Sequence, residues 1–117
     1  MSDNQFSLEG RVALITGGSQ GIGRAVALAF AKAGAKVAVT ARGKEKLEAL
    51  RDEIEKNGRR CLAIPADLSQ DGELKRVHDT VVAEFGDVDI LVNNAGIGYI
   101  VTLSDLTYEQ FTDVMKL

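Results

Sequence analysis

Apolar residues are distributed along this chain in two textures: short unbroken runs, and longer stretches in which they recur every three or four positions. The runs are Val12-Ala13-Leu14-Ile15, Lys36–Thr40 (KVAVT), Arg60–Pro65 (RCLAIP) and Val88–Asn93 (VDILVN). Continuous runs of this length, rich in valine and isoleucine, predict strands covered on both faces, the first over about residues 11–16. Between them, Ile22, Val26, Ala29, Phe30 and Ala33 predict a helix with a core-facing stripe. Leu47, Leu50 and Ile54 do the same for a charged helix over Lys44–Lys56, and Leu74, Val77, Val81 and Phe85 for a third. Gly34, Asn57-Gly58 and Gly86 fall where these helices should stop, and Ser69 or Asp71 is the expected cap of the third. After the fourth strand a loop is expected. Thr107-Tyr108-Glu109-Gln110 then has capping-box spacing and opens a fourth helix that runs to Leu117.

The order is therefore βαβαβαβ followed by part of an α, after a loose arm up to Gly10. Strict alternation with short linkers predicts a parallel sheet with helices on both faces, a single doubly wound α/β unit. Composition narrows the picture without changing it. At 117 residues, 45% apolar and 26% charged, the chain fits one soluble globular domain. A net charge of −3 supplies no general field for nucleic acid or an anionic membrane. No apolar run approaches the roughly 18–20 residues of a membrane span. The opening Met1-Ser2-Asp3-Asn4-Gln5 has no basic start or apolar centre, so a cytoplasmic location is expected. The lone Cys61 reads as a small buried hydrophobe, and the lone His78, beside an apolar stripe, as a solvated or edge-packed residue. Asp87 and Asp89 flank Val88 at the start of a strand, the end away from ligands, where capping or solvation accounts for them.

Chemistry is concentrated where the first strand meets the first helix, at Thr16-Gly17-Gly18-Ser19-Gln20-Gly21-Ile22-Gly23. Glycines let the backbone turn tightly and let a pyrophosphate approach without meeting a Cβ. The free N–H groups and dipole of the adjoining helix favour the anion. The spacing is G-x-x-x-G-x-G with an extra Gly18, not G-x-G-x-x-G. At the end of the second strand, Val39-Thr40-Ala41-Arg42 offers no carboxylate for a ribose 2′-OH but a guanidinium suited to a 2′-phosphate, which favours NADP over NAD.

Taken together, Thr16-Gly17-x-x-x-Gly21-Ile22-Gly23, Asp67-Leu68 after the third strand and Asn93-Asn94-Ala95-Gly96 after the fourth resemble the short-chain dehydrogenase/reductase family, notably its 3-oxoacyl-carrier-protein reductase-like members. The resemblance extends from about Phe6 to Leu117. It implies a Rossmann-type sheet of four strands in the order 3-2-1-4, binding a nicotinamide dinucleotide. Gly17, Gly21 and Gly23 would shape the pyrophosphate turn, with the Ile22 N–H facing a phosphate. Ser19 and Arg42 would meet the 2′-phosphate. Asp67 would bind the adenine amino group with the Leu68 backbone beside the ring. Asn94 and Ala95 would line the adenine ribose, with Gly96 also cofactor-binding, while Thr16 and Asn93 would tie neighbouring strand ends. Gln20 occupies a position at which many NADP-preferring members carry a basic residue.

The same resemblance implies hydride transfer between nicotinamide and a small carbonyl compound or secondary alcohol. The family performs it with a serine and a Tyr-x-x-x-Lys pair, plus an asparagine expected immediately after Leu117. Tyr99 is followed four residues on by Leu103, and Tyr108 by Thr112, so neither supplies that pair. Residues 1–117 thus read as a cofactor-binding domain incomplete at its C-terminus, the front half of an NADP-dependent oxidoreductase without catalytic residues of its own. The alternatives are a non-catalytic nucleotide-binding module, an engineered or truncated half-domain, or a scaffold with a vestigial glycine loop. A fourth strand left at the sheet edge, and a last helix carrying Leu103, Leu106, Phe111, Val114 and Met115, are expected to drive homo-oligomerisation or self-association.

Overall fold

The computed structural model of the chain describes residues 7–94 and, for the backbone, a further strand at Tyr99–Thr102. Strands β1 (Val12–Thr16), β2 (Lys36–Ala41), β3 (Cys61–Pro65), β4 (Ile90–Asn93) and β5 (Tyr99–Thr102) alternate with helices α1 (Gly21–Lys32), α2 (Lys44–Lys56) and α3 (Glu73–Phe85) up to β4. They form one five-stranded sheet in the order β3-β2-β1-β4-β5. The first four strands are mutually parallel in the expected 3-2-1-4 order. The expected fourth helix and the residues named on it lie outside the described residues.

One expectation is corrected. Residues 99–102, expected in a loop, return as β5 and pair antiparallel with β4, Asn93 opposite Tyr99 and Ile90 opposite Thr102. The backbone groups that an exposed β4 edge would offer to another chain are taken up within the chain itself. Within the described residues β4 is therefore an inner strand and the sheet ends at β5. The run Tyr99-Ile100-Val101-Thr102 is β-branched and aromatic, a strand former in its own right.

Side chains of β1 alternate between two cores. Ala13 and Ile15 face α1 and α2 with Val37, Val39, Leu47, Leu50 and Ile54, whereas Val12 and Leu14 face α3 with Ile64, Val77, Val81 and Phe85. All five β1 residues are buried, which is why the strand reads as an unbroken apolar run. The stripes of α2 and α3 lie as their spacing predicts: Leu47, Leu50 and Ile54 are buried on one, Val77, Val81 and Phe85 on the other.

Helix α1 departs from its expected stripe. Its buried residues are Gly23, Ala27 and Ala31, spaced at i, i+4 and i+8, while Val26 and Phe30 are half-buried, Ala29 is exposed and Ile22 is 73% exposed. Small side chains let the helix lie close against β1, a preference for near approach that hydrophobic spacing does not encode. Helix α3 also starts differently from expectation. Its N-cap is Gly72 in a left-handed conformation (φ 82°), without a side-chain cap bond. Ser69 instead donates to Asp67.

At the amino end of the sheet, Asp89 has a role that the sequence left at capping or solvation. Its Oδ2 accepts from the Val12 N–H at 2.8 Å while its own N–H donates to the Val12 carbonyl at 2.8 Å. The carboxylate thus continues the β1–β4 ladder one step beyond the strands.

Candidate functional site at the carboxyl end of the sheet

Parallel strands in register bring their carboxyl ends to one level: Thr16 lies beside Thr40 on one side and Asn93 on the other. Because the chain leaves β1 toward β2 on one flank while β4 lies on the opposite flank, a crevice opens between the two exits. The buried polar side chains among the described residues are all at this end, and each is satisfied. Thr40 Oγ1 donates to the Ile64 carbonyl at 2.7 Å, and Thr16 Oγ1 donates to Asn93 Oδ1 at 2.9 Å. The Asn94 N–H in turn donates to Thr16 Oγ1 at 3.1 Å. One buried hydroxyl therefore fixes the exits of β1 and β4 relative to each other, the tie expected of Thr16 and Asn93.

The glycine turn is built on that anchor. Gly17 and Gly21 have φ of 66° and 61°, in the left-handed region that residues with a Cβ avoid. The Gly17 N–H donates to the Thr40 carbonyl at 2.8 Å, and its carbonyl accepts from Asn94 Nδ2 at 3.3 Å. Gly23 closes the arrangement, since a Cβ there would stand 2.4 Å from the Gly17 oxygen and 2.9 Å from Asn94 Nδ2. At Gly21 a Cβ would meet nothing within 4 Å, so the outer side of the bend is open.

Helix α1 starts from this bend with Gln20 as N-cap, no side-chain cap bond and no acid in its first turn. Among the described residues no side chain caps its first N–H groups, an arrangement that can accept a phosphate.

Next to the turn lies an open cleft of about 830 Å³ lined by Gly17, Ser19, Gln20, Ala41, Arg42, Gly43, Lys44, Glu45, Lys46 and Asn94. It gathers residues from the glycine turn, the end of β2, the start of α2 and the exit of β4. Gly17, Ser19, Gln20, Arg42 and Asn94, all singled out from the sequence, are thus brought together. Gly21 and Ile22 sit at the adjoining start of α1, exposed, and Gly23 is buried beneath them. Asp67 and Leu68 come after β3 at the same sheet end, both half-buried. Ala95 and Gly96 lie outside the described residues.

Asp67 Oδ1 accepts from the Ser69 hydroxyl at 2.6 Å and the Ser69 N–H at 3.0 Å. These bonds, with a smaller contribution from the Arg42 charge, hold its carboxyl below the usual carboxylate range. The loop is fixed further by Arg76, which donates to the Pro65 carbonyl at 2.8 Å.

Lys44 and Lys46 were not anticipated. Lys46 Nζ donates to Gln20 Oε1 at 2.6 Å, bridging α2 and the glycine turn. Nothing in the linear order links positions 20 and 46. Their meeting depends on α1 and α2 lying on the same face of the sheet. Cys61 and His78 play no part: the thiol is buried, and His78 Nδ1 lies 3.3 Å from Asp79 Oδ1 on α3. Among the described residues no helix is long and apolar enough to cross a membrane, and no cluster of three or more metal-ligating side chains occurs.

Residues 11–117 match the family described as short chain dehydrogenase. A short chain dehydrogenase of Pseudocercospora fijiensis is 48% identical over 101 residues, covering 86% of this chain and 33% of that protein. The 3-oxoacyl-[acyl-carrier-protein] reductase of Staphylococcus epidermidis is 43% identical over 104 residues, covering 88% of this chain and 43% of the reductase. Among solved structures, a metagenomic short-chain oxidoreductase in complex with NADP superposes with a TM-score of 0.72 at 42% identity, covering 79% of this chain and 42% of the other. The chain spans less than half the length of each of these relatives.

Proposed function

We propose, from the premise that this chain belongs to the short-chain dehydrogenase family, that it forms the cofactor grip of an NADP-dependent oxidoreductase. The whole protein would pass hydride between the nicotinamide ring and a small carbonyl compound or secondary alcohol. The observation that carries the reading is the cleft itself: a glycine bend and an uncapped helix start on one side, Arg42 on the other, and no carboxylate at the end of β2. The NADP held by the metagenomic relative supports the same reading.

In this arrangement Gly17, Gly21 and Gly23 keep the bend free of side chains, and the Ile22 N–H meets a phosphate. Ser19 and Arg42 hold the 2′-phosphate, the guanidinium by paired charge-assisted bonds. Asp67, fixed by Ser69, accepts from the adenine amino group beside the Leu68 backbone. Asn94, with Ala95 and Gly96 next in the chain, lies along the ribose. The dinucleotide, when bound, supplies the hydride donor or acceptor, and these residues bind and orient it.

The test is Arg42→Asp with titration of NADP and NAD. The carboxylate repels the 2′-phosphate and can accept from a ribose hydroxyl. NADP affinity should therefore fall by about tenfold to a hundredfold while NAD affinity holds or rises. Unchanged affinity for both would refute the assignment of Arg42.

A further inference from the structure

We infer that Lys46, held in place by Gln20, is a second cation of the 2′-phosphate site and a specificity-determining residue for the dinucleotide; the inference rests on the NADP reading above. Three observations carry it. Lys46 Nζ and Gln20 Oε1 are 2.6 Å apart, and both residues line the cleft with Arg42. Among the described residues, Arg42, Lys44 and Lys46 form no ion pair with a carboxylate, and although Arg11, Lys32, Lys36, Lys56 and Arg60 also form none, these three are gathered in one cleft. Lys46 also lies in the first turn of α2, whose N-cap Gly43 gives no side-chain cap bond. A cation there opposes the helix dipole, a local cost that Glu45 in the same turn offsets in part and an anion in the cleft would offset further.

The hydrogen-bond chemistry makes the pair selective. An ammonium has three donors and no acceptor, so the bond to Gln20 leaves two for a phosphate. Accepting from Lys46 also fixes which end of the Gln20 amide is the oxygen and leaves its NH₂ as donor. The amide is thereby oriented with its oxygen toward Lys46 and its two N–H donors free for an anion. The cation that the glycine turn lacks at position 20 is supplied from α2, across 26 positions of sequence.

The experiment compares 2′,5′-ADP with 5′-ADP by calorimetric titration of the full chain, so that the two probes differ by the 2′-phosphate alone. The proteins are wild type, Arg42→Ala, Lys46→Met, Lys46→Arg and Gln20→Ala. Wild type should prefer 2′,5′-ADP. Lys46→Met should lose about tenfold to a hundredfold for 2′,5′-ADP, the size of one charge-assisted bond, with 5′-ADP within about twofold. Lys46→Arg should recover most of the loss, and Gln20→Ala should show a smaller loss confined to the same probe.

If wild type binds the two probes equally, the NADP reading itself fails. If wild type discriminates and Arg42→Ala abolishes the preference while Lys46→Met leaves it intact, the reading stands and the role of Lys46 is overturned. A loss shared equally by both probes in Lys46→Met would also overturn it.

Discussion

Replacing Thr16 by valine tests the anchor beneath the whole site. Threonine and valine have nearly the same shape, so the substitution removes a hydroxyl without opening a cavity. Thr16 is 1% exposed. Its Oγ1 donates to Asn93 Oδ1 at 2.9 Å and accepts from the Asn94 N–H at 3.1 Å. In the valine variant the Asn94 N–H loses this acceptor in a part-buried setting, and Asn93 Oδ1 loses a donor. An orphaned donor costs about 1–3 kcal/mol and a lost hydrogen bond about 0.5–1.5 kcal/mol, so the sum is about 1.5–4.5 kcal/mol.

Thr16→Ser is the comparison. It keeps the hydroxyl and deletes one methyl, which costs about 1 kcal/mol. Equilibrium unfolding in urea gives both differences from the midpoint shift at constant slope. Titration with NADP should show the same order, because Asn94 also holds the Gly17 carbonyl through Nδ2. Valine should be the more damaging variant in both assays. If valine proves as stable as serine or more so, the hydroxyl is not the tie between β1 and β4.

The same geometry yields two more expected outcomes. Gly23→Ala places a Cβ 2.4 Å from the Gly17 oxygen; backbone must shift, costing about 1–3 kcal/mol. The melting temperature and nucleotide affinity should fall together, and a wild-type melting temperature would refute the close approach. The Cys61 thiol is pushed up to about 12, by burial first and the nearby Glu55 carboxylate second. Native protein at pH 8 should react slowly with a thiol reagent and rapidly once unfolded, and a native rate equal to that of a free thiol would count against the burial. Because the folded pKa is the higher one, the contribution of this group to stability is full below the unfolded thiol's value of about 8.5 and lost as pH rises from there toward about 12.

The sequence by itself determined the alternation of strands and helices, the parallel core and the glycine turn. Each of these is a local property: continuous valine and isoleucine runs, helical spacing in α2 and α3, and glycines at left-handed positions 17 and 21. The chemical types at the strand ends (Arg42, Asp67, Asn94) were legible for the same reason, since parallel strands deliver the residues at their carboxyl ends to one edge of the sheet. Ala95 and Gly96 lie outside the described residues, so for them the reading stays an expectation.

Only the tertiary structure decided which face α1 turns inward, because close packing on β1 selected Gly23, Ala27 and Ala31 over bulkier neighbours. Only it showed β5 pairing antiparallel with β4, since strand-forming residues at 99–102 do not by themselves say which strand they meet. Asp89 meeting Val12 and Lys46 meeting Gln20 belong to the same class. Contacts between positions 77 and 26 apart arise when elements dock, and no periodicity along the chain carries that information.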